Sequence, residues 1–273
     1  MNILIAADME GVCGVVSWDH VNPDHKEYSR FRQLMTAEVN AAVRGACDAG
    51  AETVLIADGH AAGRNILIED LDPRAQLHSG TPSPLGMVAG ADAGVDGTLF
   101  IGYHARAGTE HAILDHTWSS QRVSNLWLSG DLVGETGLNA ALCGHFDVPV
   151  LMVCGDKAVC DEATALLGNV KTVAVKEATA RTAAHCLPPE AAQERIYEAA
   201  RRAVTRLRDG DAPQPFRLST PTTLTIQFPK SDMADRAALL PGAERDERRI
   251  TCTAEDILVA FRAMRSALAL AAG

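Results

Sequence analysis

The stretch Asn2-Ile3-Leu4-Ile5-Ala6-Ala7-Asp8-Met9-Glu10-Gly11 decides how the rest of the chain is read. Its apolar first half is short and partly β-branched. Such a run reads as a strand buried on both faces, the kind that parallel sheets are made of. It ends in Asp8-Met9-Glu10, and at the two-residue period of a strand both carboxylates face one side. Gly11 then frees the backbone to turn. A helix cap with a surface glutamate is the bland alternative for this triplet alone. Two further strand ends argue against it.

Residues 28 to 49 read as a helix, with Leu34, Val39, Ala42, Val43 and Ala46 at helical spacing and Gly50 as its stop. Residues 53 to 58 form a second buried strand that runs into Asp58-Gly59-His60, where Asp58 is placed to orient the histidine. Residues 97 to 103 form a third, which runs into His104. Strand, helix, strand is the βαβ signature of a parallel sheet. In open sheets of this kind, ligands bind beyond the carboxyl ends of the strands. Asp8, Glu10, His60 and His104 are therefore expected around one crevice. Glu135, in Val133-Gly134-Glu135-Thr136-Gly137 at a helix start, is the fifth candidate, and Asn139 lies one turn beyond it.

Three carboxylates and two imidazoles suit a pair of divalent cations, zinc among them. His116, on an irregular loop after His104, is the candidate acid–base or nucleophilic residue, with a sixth metal ligand as its alternative. His111 is a weaker rival. The chain lacks GxGxxG, P-loop, HExxH and GxSxG patterns, so nucleotide and serine-hydrolase chemistries have no support.

The remaining elements extend the pattern. A short strand is expected near 76–78, a short helix at 83–90 and a hairpin at 123–133. Strands follow at 148–153 and 170–176, with helices at 134–142 and 161–167. Past Pro188-Pro189 the texture changes. A charged amphipathic helix covers 190–208, and strands cover 222–228 and 248–253. Helices cover 232–240 and 254–271, the last with Thr253 as N-cap. The fold class is α/β: a doubly wound, mainly parallel sheet with a second, smaller α+β domain. The expected division is 1–188 for the catalytic domain and 189–273 for the smaller one, with the 111–133 hairpin able to pack on the latter.

The composition sets limits. In 273 residues, 47% are hydrophobic and 22% charged, enough for a packed core with aromatics at only 4%. A net charge of −10 repels phosphate backbones and anionic membranes, so neither nucleic acid nor a membrane is an expected partner. No apolar run reaches the roughly 18 residues of a spanning helix. There is no basic region followed by an apolar one at the start, and the seven cysteines form no disulfide framework. A cytoplasmic protein with reduced thiols is expected.

The segments Ala6-Ala7-Asp8-Met9-Glu10-Gly11, Asp58-Gly59-His60, Gly102-Tyr103-His104-Ala105-Arg106-Ala107 and Gly134-Glu135-Thr136-Gly137-Leu138-Asn139-Ala140 together resemble the zinc-dependent D-aminopeptidases. The likeness runs on through 147–156 and 173–176 and covers most of the chain. It implies two zinc ions per subunit, with Asp8 bridging both. Glu10 and His60 complete one site, His104 and Glu135 the other, and His116 is the catalytic histidine. It also implies a short peptide substrate with an amino-terminal D-residue such as D-Ala, and a homo-oligomer built as a ring decamer. Two positions depart from the family pattern: Ala6 replaces a serine, and Gly59 replaces the serine of Asp-Ser-His. The rival functions are another two-metal hydrolase and a non-catalytic dipeptide-binding protein. The hydrolase could be an L-peptide aminopeptidase or a phosphoesterase, for which Arg106 and Arg122 are the nearby cations. The missing signal peptide argues against the binding protein.

Overall fold

A computed structural model describes residues 1–272. The chain runs β1 (Asn2–Ala7), α1 (Trp18–Val21), α2 (Tyr28–Asp48), β2 (Thr53–Asp58), β3 (Ala75–His78), β4 (Gly97–Tyr103), β5 (Asn125–Leu128) and β6 (Asp131–Val133). It continues with α3 (Glu135–His145), β7 (Val150–Asp156), α4 (Lys157–Leu167), β8 (Lys171–Ala180), β9 (Ala183–Cys186) and α5 (Pro189–Arg208). The last part holds β10 (Thr222–Gln227), α6 (Ser231–Ala237), β11 (Glu244–Asp246), β12 (Arg249–Ala254) and α7 (Ile257–Ala272).

Seven strands form one sheet in the order β3-β2-β1-β4-β7-β8-β9, parallel except for β9 at its edge. Chain order reverses between β1 and β4, the switch point at which such sheets open a crevice. One face buries Ile3, Ile5 and Ala7 against Phe31, Met35 and Val39 of α2 and Ile196 and Ala200 of α5. The other buries Leu4, Ala6 and Phe100 against Leu138 of α3 and Val159 of α4. The fold is thus the expected doubly wound α/β sheet.

A five-stranded antiparallel sheet, ordered β11-β12-β10-β5-β6, is the second unit. It takes the 125–133 hairpin from the first half of the chain, and α5 packs on the large sheet. A cut between 188 and 189 therefore follows neither sheet. Leu126, Ile226 and Phe228 of the small sheet, and Phe261 and Met264 of α7, belong to the same apolar core as Leu4 and Phe100. The two sheets share one interior.

Some boundaries shift for local reasons. Residues 86–88 form only a 3₁₀ turn where a helix over 83–90 is expected. Thr253 lies within β12, and Asp256 is the residue that caps α7, its Oδ1 accepting from Val259 N–H at 2.9 Å. β9 and β11 are absent from the sequence reading. Both are short edge strands without an apolar run.

The end of β1 is held by three backbone bonds. Asp8 N–H donates to Ile101 carbonyl at 2.8 Å, Gly11 N–H to Gly102 carbonyl at 2.7 Å, and Gly59 N–H to Ala7 carbonyl at 2.8 Å. The second demands a glycine on both sides. A Cβ on Gly11 would lie 1.8 Å from the Tyr103 carbonyl oxygen. Gly102 has φ +73°, and its Cβ would lie 2.2 Å from the Asp8 carbonyl oxygen. This close approach sets Asp8 and Glu10 beside His104.

The turn after Glu10 is fixed from below. Lys176 of β8 is only 3% exposed. Its Nζ donates to the carbonyls of Glu10, Val12 and Val15 at 2.6, 2.8 and 2.7 Å. Glu38 of α2 accepts from Cys13 N–H at 2.8 Å. An ammonium satisfying three buried carbonyls is a charge-assisted clamp. Lys176→Met leaves those carbonyls unpaired and is expected to cost about 2–4 kcal/mol in denaturant unfolding. A change within about 0.5 kcal/mol, the range of an ordinary surface substitution, would show that the turn holds without the clamp.

Candidate metal centre

All five expected ligand candidates and His116 converge beyond the carboxyl ends of β1, β2 and β4. Asp8 and Glu10 follow β1, His60 follows β2, and His104 follows β4. Glu135 is the first residue of α3. All six are buried. They fall into two sets, Asp8 with Glu10 and His60, and His104 with His116 and Glu135, and the donor atoms within each set lie within 4.8 Å of one another.

Asp8 stands between the sets. Its Oδ1 lies 3.4 Å from His60 Nδ1, and its Oδ2 lies 3.4 Å from His104 Nε2. Glu10 Oε2 is 3.0 Å from His60 Nδ1, and Glu135 Oε1 is 3.2 Å from His104 Nε2. Each half thus pairs one imidazole with one private carboxylate and one oxygen of Asp8.

Backbone carbonyls set the direction of every imidazole. His60 Nε2–H donates to Val21 carbonyl at 2.9 Å, which leaves Nδ1 facing Asp8 and Glu10. His104 Nδ1–H donates to Ala105 carbonyl at 3.0 Å, which leaves Nε2 facing Asp8 and Glu135. His116 Nδ1–H donates to Leu114 carbonyl at 2.8 Å, and its Nε2 lies 3.6 Å from Glu135 Oε1. Donation from one ring nitrogen to a carbonyl is how proteins present the other as a ligand or base. The His104 and His116 rings stack at 4.0 Å with an interplanar angle of 9°.

The electrostatics of the cluster are those of a cation site. Burial opposes a charged His60, yet Glu10 and Asp8 override it and raise its pKa well above the usual value. Burial likewise opposes a charged His104, and Glu135, Asp8 and Glu10 override it. Burial and the neighbouring Glu10 push Asp8 up to about 7. Glu10 and Glu135 are lowered despite burial, held down chiefly by His60 and His104 respectively. His116 goes the other way: burial and the charge on His104 lower it. Asp8 Oδ2, Glu10 Oε2 and His104 Nε2 are buried without a hydrogen bond. Orphaned buried acceptors aimed at one another from carboxylates and imidazoles fit zinc or a similar divalent ion.

Asp58 acts differently from expectation. It does not touch the His60 ring. Its carboxylate accepts from Asn65 N–H, Asn65 Nδ2 and Ile66 N–H at 2.5, 2.6 and 2.8 Å, and Asn65 Nδ2 also donates to the His60 carbonyl at 2.6 Å. It orders the His60 loop through its backbone, and Val21 orients the ring. Asn139 lies beneath the site, donating to Tyr103 Oη at 3.0 Å. His111 is exposed and pairs with Glu110, away from the cluster. Ala6 is fully buried in the apolar core with Leu4 and Ala57. At Gly59 a Cβ would come within 2.9 Å of Met87 Cβ, so Met87 occupies the room that a serine would need.

The cluster opens into a cavity of about 370 Å³, whose outer wall includes Thr81, Met87, Trp118, Ser119, Gln121 and Arg265. Neither Arg106 nor Arg122 lines it. The sequence reading passes over this wall. Trp118 is placed by a left-handed backbone at φ +62° and by its N–H donating to Glu135 Oε1 at 2.8 Å. Arg265 arrives from the far end of the chain on α7. Neither carries a local motif.

The D-aminopeptidase family model matches residues 1–266. A D-aminopeptidase of Bacillus subtilis (strain 168) is 37% identical over 266 residues, which span 97% of this chain and 95% of that protein. The solved structure of the Zn-dependent D-aminopeptidase DppA from Bacillus subtilis, a self-compartmentalizing protease, superposes with a TM-score of 0.95 at 36% identity, covering 100% of this chain and 98% of that one. Family match, sequence identity and fold agree over nearly the whole length, and the chain belongs to the D-aminopeptidase family.

Proposed function

We propose that this protein is a two-zinc aminopeptidase that releases an amino-terminal D-residue, such as D-Ala, from short peptides. The observation that carries the reading is Asp8, which turns one carboxylate oxygen to each imidazole-bearing half of the cluster. Asp8, Glu10 and His60 would hold one ion, and Asp8, His104 and Glu135 the other. Zinc held there supplies Lewis acidity towards a peptide carbonyl and water. The D-preference draws on the family and on the relative's name. The number of ions draws on the two donor sets.

His116 is the acid–base residue in this reading. Its Nδ1–H is fixed on Leu114, so Nε2 is the atom that takes a proton and later returns it. Its lowered pKa keeps it neutral near pH 7 and able to accept. Met87 and Trp118 form the apolar part of the wall and shield the reacting bond from bulk water. A ring-shaped homo-oligomer, decameric in the family likeness, belongs to the same proposal, supported by the self-compartmentalizing relative. So does a cytoplasmic location, which the seven unpaired cysteines support. No described helix is long and apolar enough to cross a membrane. The phosphoesterase alternative loses its two candidate cations, since Arg106 and Arg122 lie off the cavity wall.

Offering D-Ala-D-Ala, L-Ala-L-Ala and N-acetyl-D-Ala-D-Ala at equal concentration tests the activity. Hydrolysis of the first, little of the second and none of the third is expected. Turnover of the acetylated peptide rules out an aminopeptidase, and preference for the L,L peptide overturns the stereochemistry while leaving the mechanism. His116→Ala is expected to retain its zinc and lose about 10²–10⁴-fold in kcat. Loss of one zinc equivalent from this variant would make His116 a ligand instead.

A further inference from the structure

The wall of the same cavity holds a cation that the proton-transfer chemistry does not use. Arg265, on α7, lines the same cavity as Asp8, Glu10, His60, His116 and Glu135. It is half-buried. Its contacts are neutral ones. Nη1 donates to the Ser83 carbonyl, and the guanidinium lies 5.7 Å from the centre of the Phe261 ring. Among the described residues no carboxylate forms an ion pair with it. Several arginines elsewhere do pair with acids, Arg74 with Asp72, Arg181 with Asp115 and Arg217 with Asp147 among them.

The position of Arg265 is fixed by packing. Phe261, one helical turn earlier on α7, meets Trp118 edge to face at 5.4 Å and 79°. Trp118 is in turn bonded to Glu135 through its N–H. A chain of contacts therefore runs from the candidate metal centre through Trp118 and Phe261 to the helix that carries Arg265. Holding a guanidinium at a cavity wall with one fork occupied by a carbonyl leaves its other donors for an anion. A planar, bidentate carboxylate is the natural partner of that fork.

We infer that Arg265 is a specificity-determining residue that binds the free carboxyl terminus of the substrate. The inference rests on the peptidase reading above and adds a substrate class to it: very short peptides with an unblocked carboxylate. The volume agrees. About 370 Å³ lies near the lower end of the roughly 300–1,000 Å³ usual for small-ligand pockets. A cavity this size that is lined by both the bond-cleaving groups and a carboxylate binder has room for a very short peptide only. A longer chain would carry its carboxylate past the guanidinium.

The test compares D-Ala-D-Ala with its carboxyl-terminal amide on zinc-loaded enzyme. A charge-assisted contact to the carboxylate predicts that wild type prefers the acid by about 10–100-fold in kcat/KM, expressed mainly in KM. In Arg265→Gln the ratio of acid to amide is expected to fall to near one. Arg265→Lys, which keeps the charge but not the fork, is expected to retain part of it. A wild-type ratio near one overturns the inference, as does an Arg265→Gln ratio equal to that of wild type. If wild type cleaves both peptides equally, only this inference fails. If it cleaves neither, the peptidase reading fails and takes the inference with it.

Discussion

Three carboxylates are buried within hydrogen-bond range of two imidazoles, and the rest of the structure is arranged to hold them there. Burying a charge is costly unless opposite charge lies against it. Asp8 is the extreme case, pushed up to about 7 by burial and by Glu10. Its two oxygens face different histidines, so whatever neutralises it acts on both halves of the site at once. The glycine contact between Gly11 and Gly102, the Lys176 clamp and the carbonyl anchors on three histidines all serve this geometry. Each fixes a backbone or ring direction that the charges alone would not choose.

Much of this was legible in the sequence. The alternation of buried runs and helical periods gave the doubly wound sheet, because strands buried on both faces read as apolar runs and their ends carry the functional side chains. Asp8, Glu10, His60 and His104 follow from that rule and Glu135 from a glycine-flanked helix start, and the structure brings all five together with His116. What escaped depends on distant contacts. Asp58 lies two residues from His60 in sequence, yet its carboxylate does not touch the ring. Here it captures the Asn65 backbone instead. Lys176 reads as an ordinary strand lysine until β8 is set beneath the 10–15 turn. Arg265 sits in an Ala-rich terminal helix with no motif around it.

The placement of the second sheet explains why a cut at 188 fails. The 125–133 hairpin pairs with β10, and both sheets bury their side chains in one core. The consequence reaches the site. Trp118, which precedes the hairpin, and Arg265 of α7 line a side of the cavity that the large sheet does not supply, and Phe261 packs against Trp118. Four of the six clustered side chains, Asp8, Glu10, His60 and His104, follow strands of the sheet that is read easily in sequence. Trp118 and Arg265, on the same cavity wall, come from the part that is not.

The central claim is that one shared carboxylate joins two ion sites. Zinc content of gently purified wild type and of Asp8→Ala, measured by elemental analysis on the same protein concentrations, tests it most directly. About two ions per chain in wild type, and loss of both in Asp8→Ala despite an intact fold, is the expected result. An Asp8→Ala protein that still holds its full zinc complement would contradict it, as would a wild type that holds none.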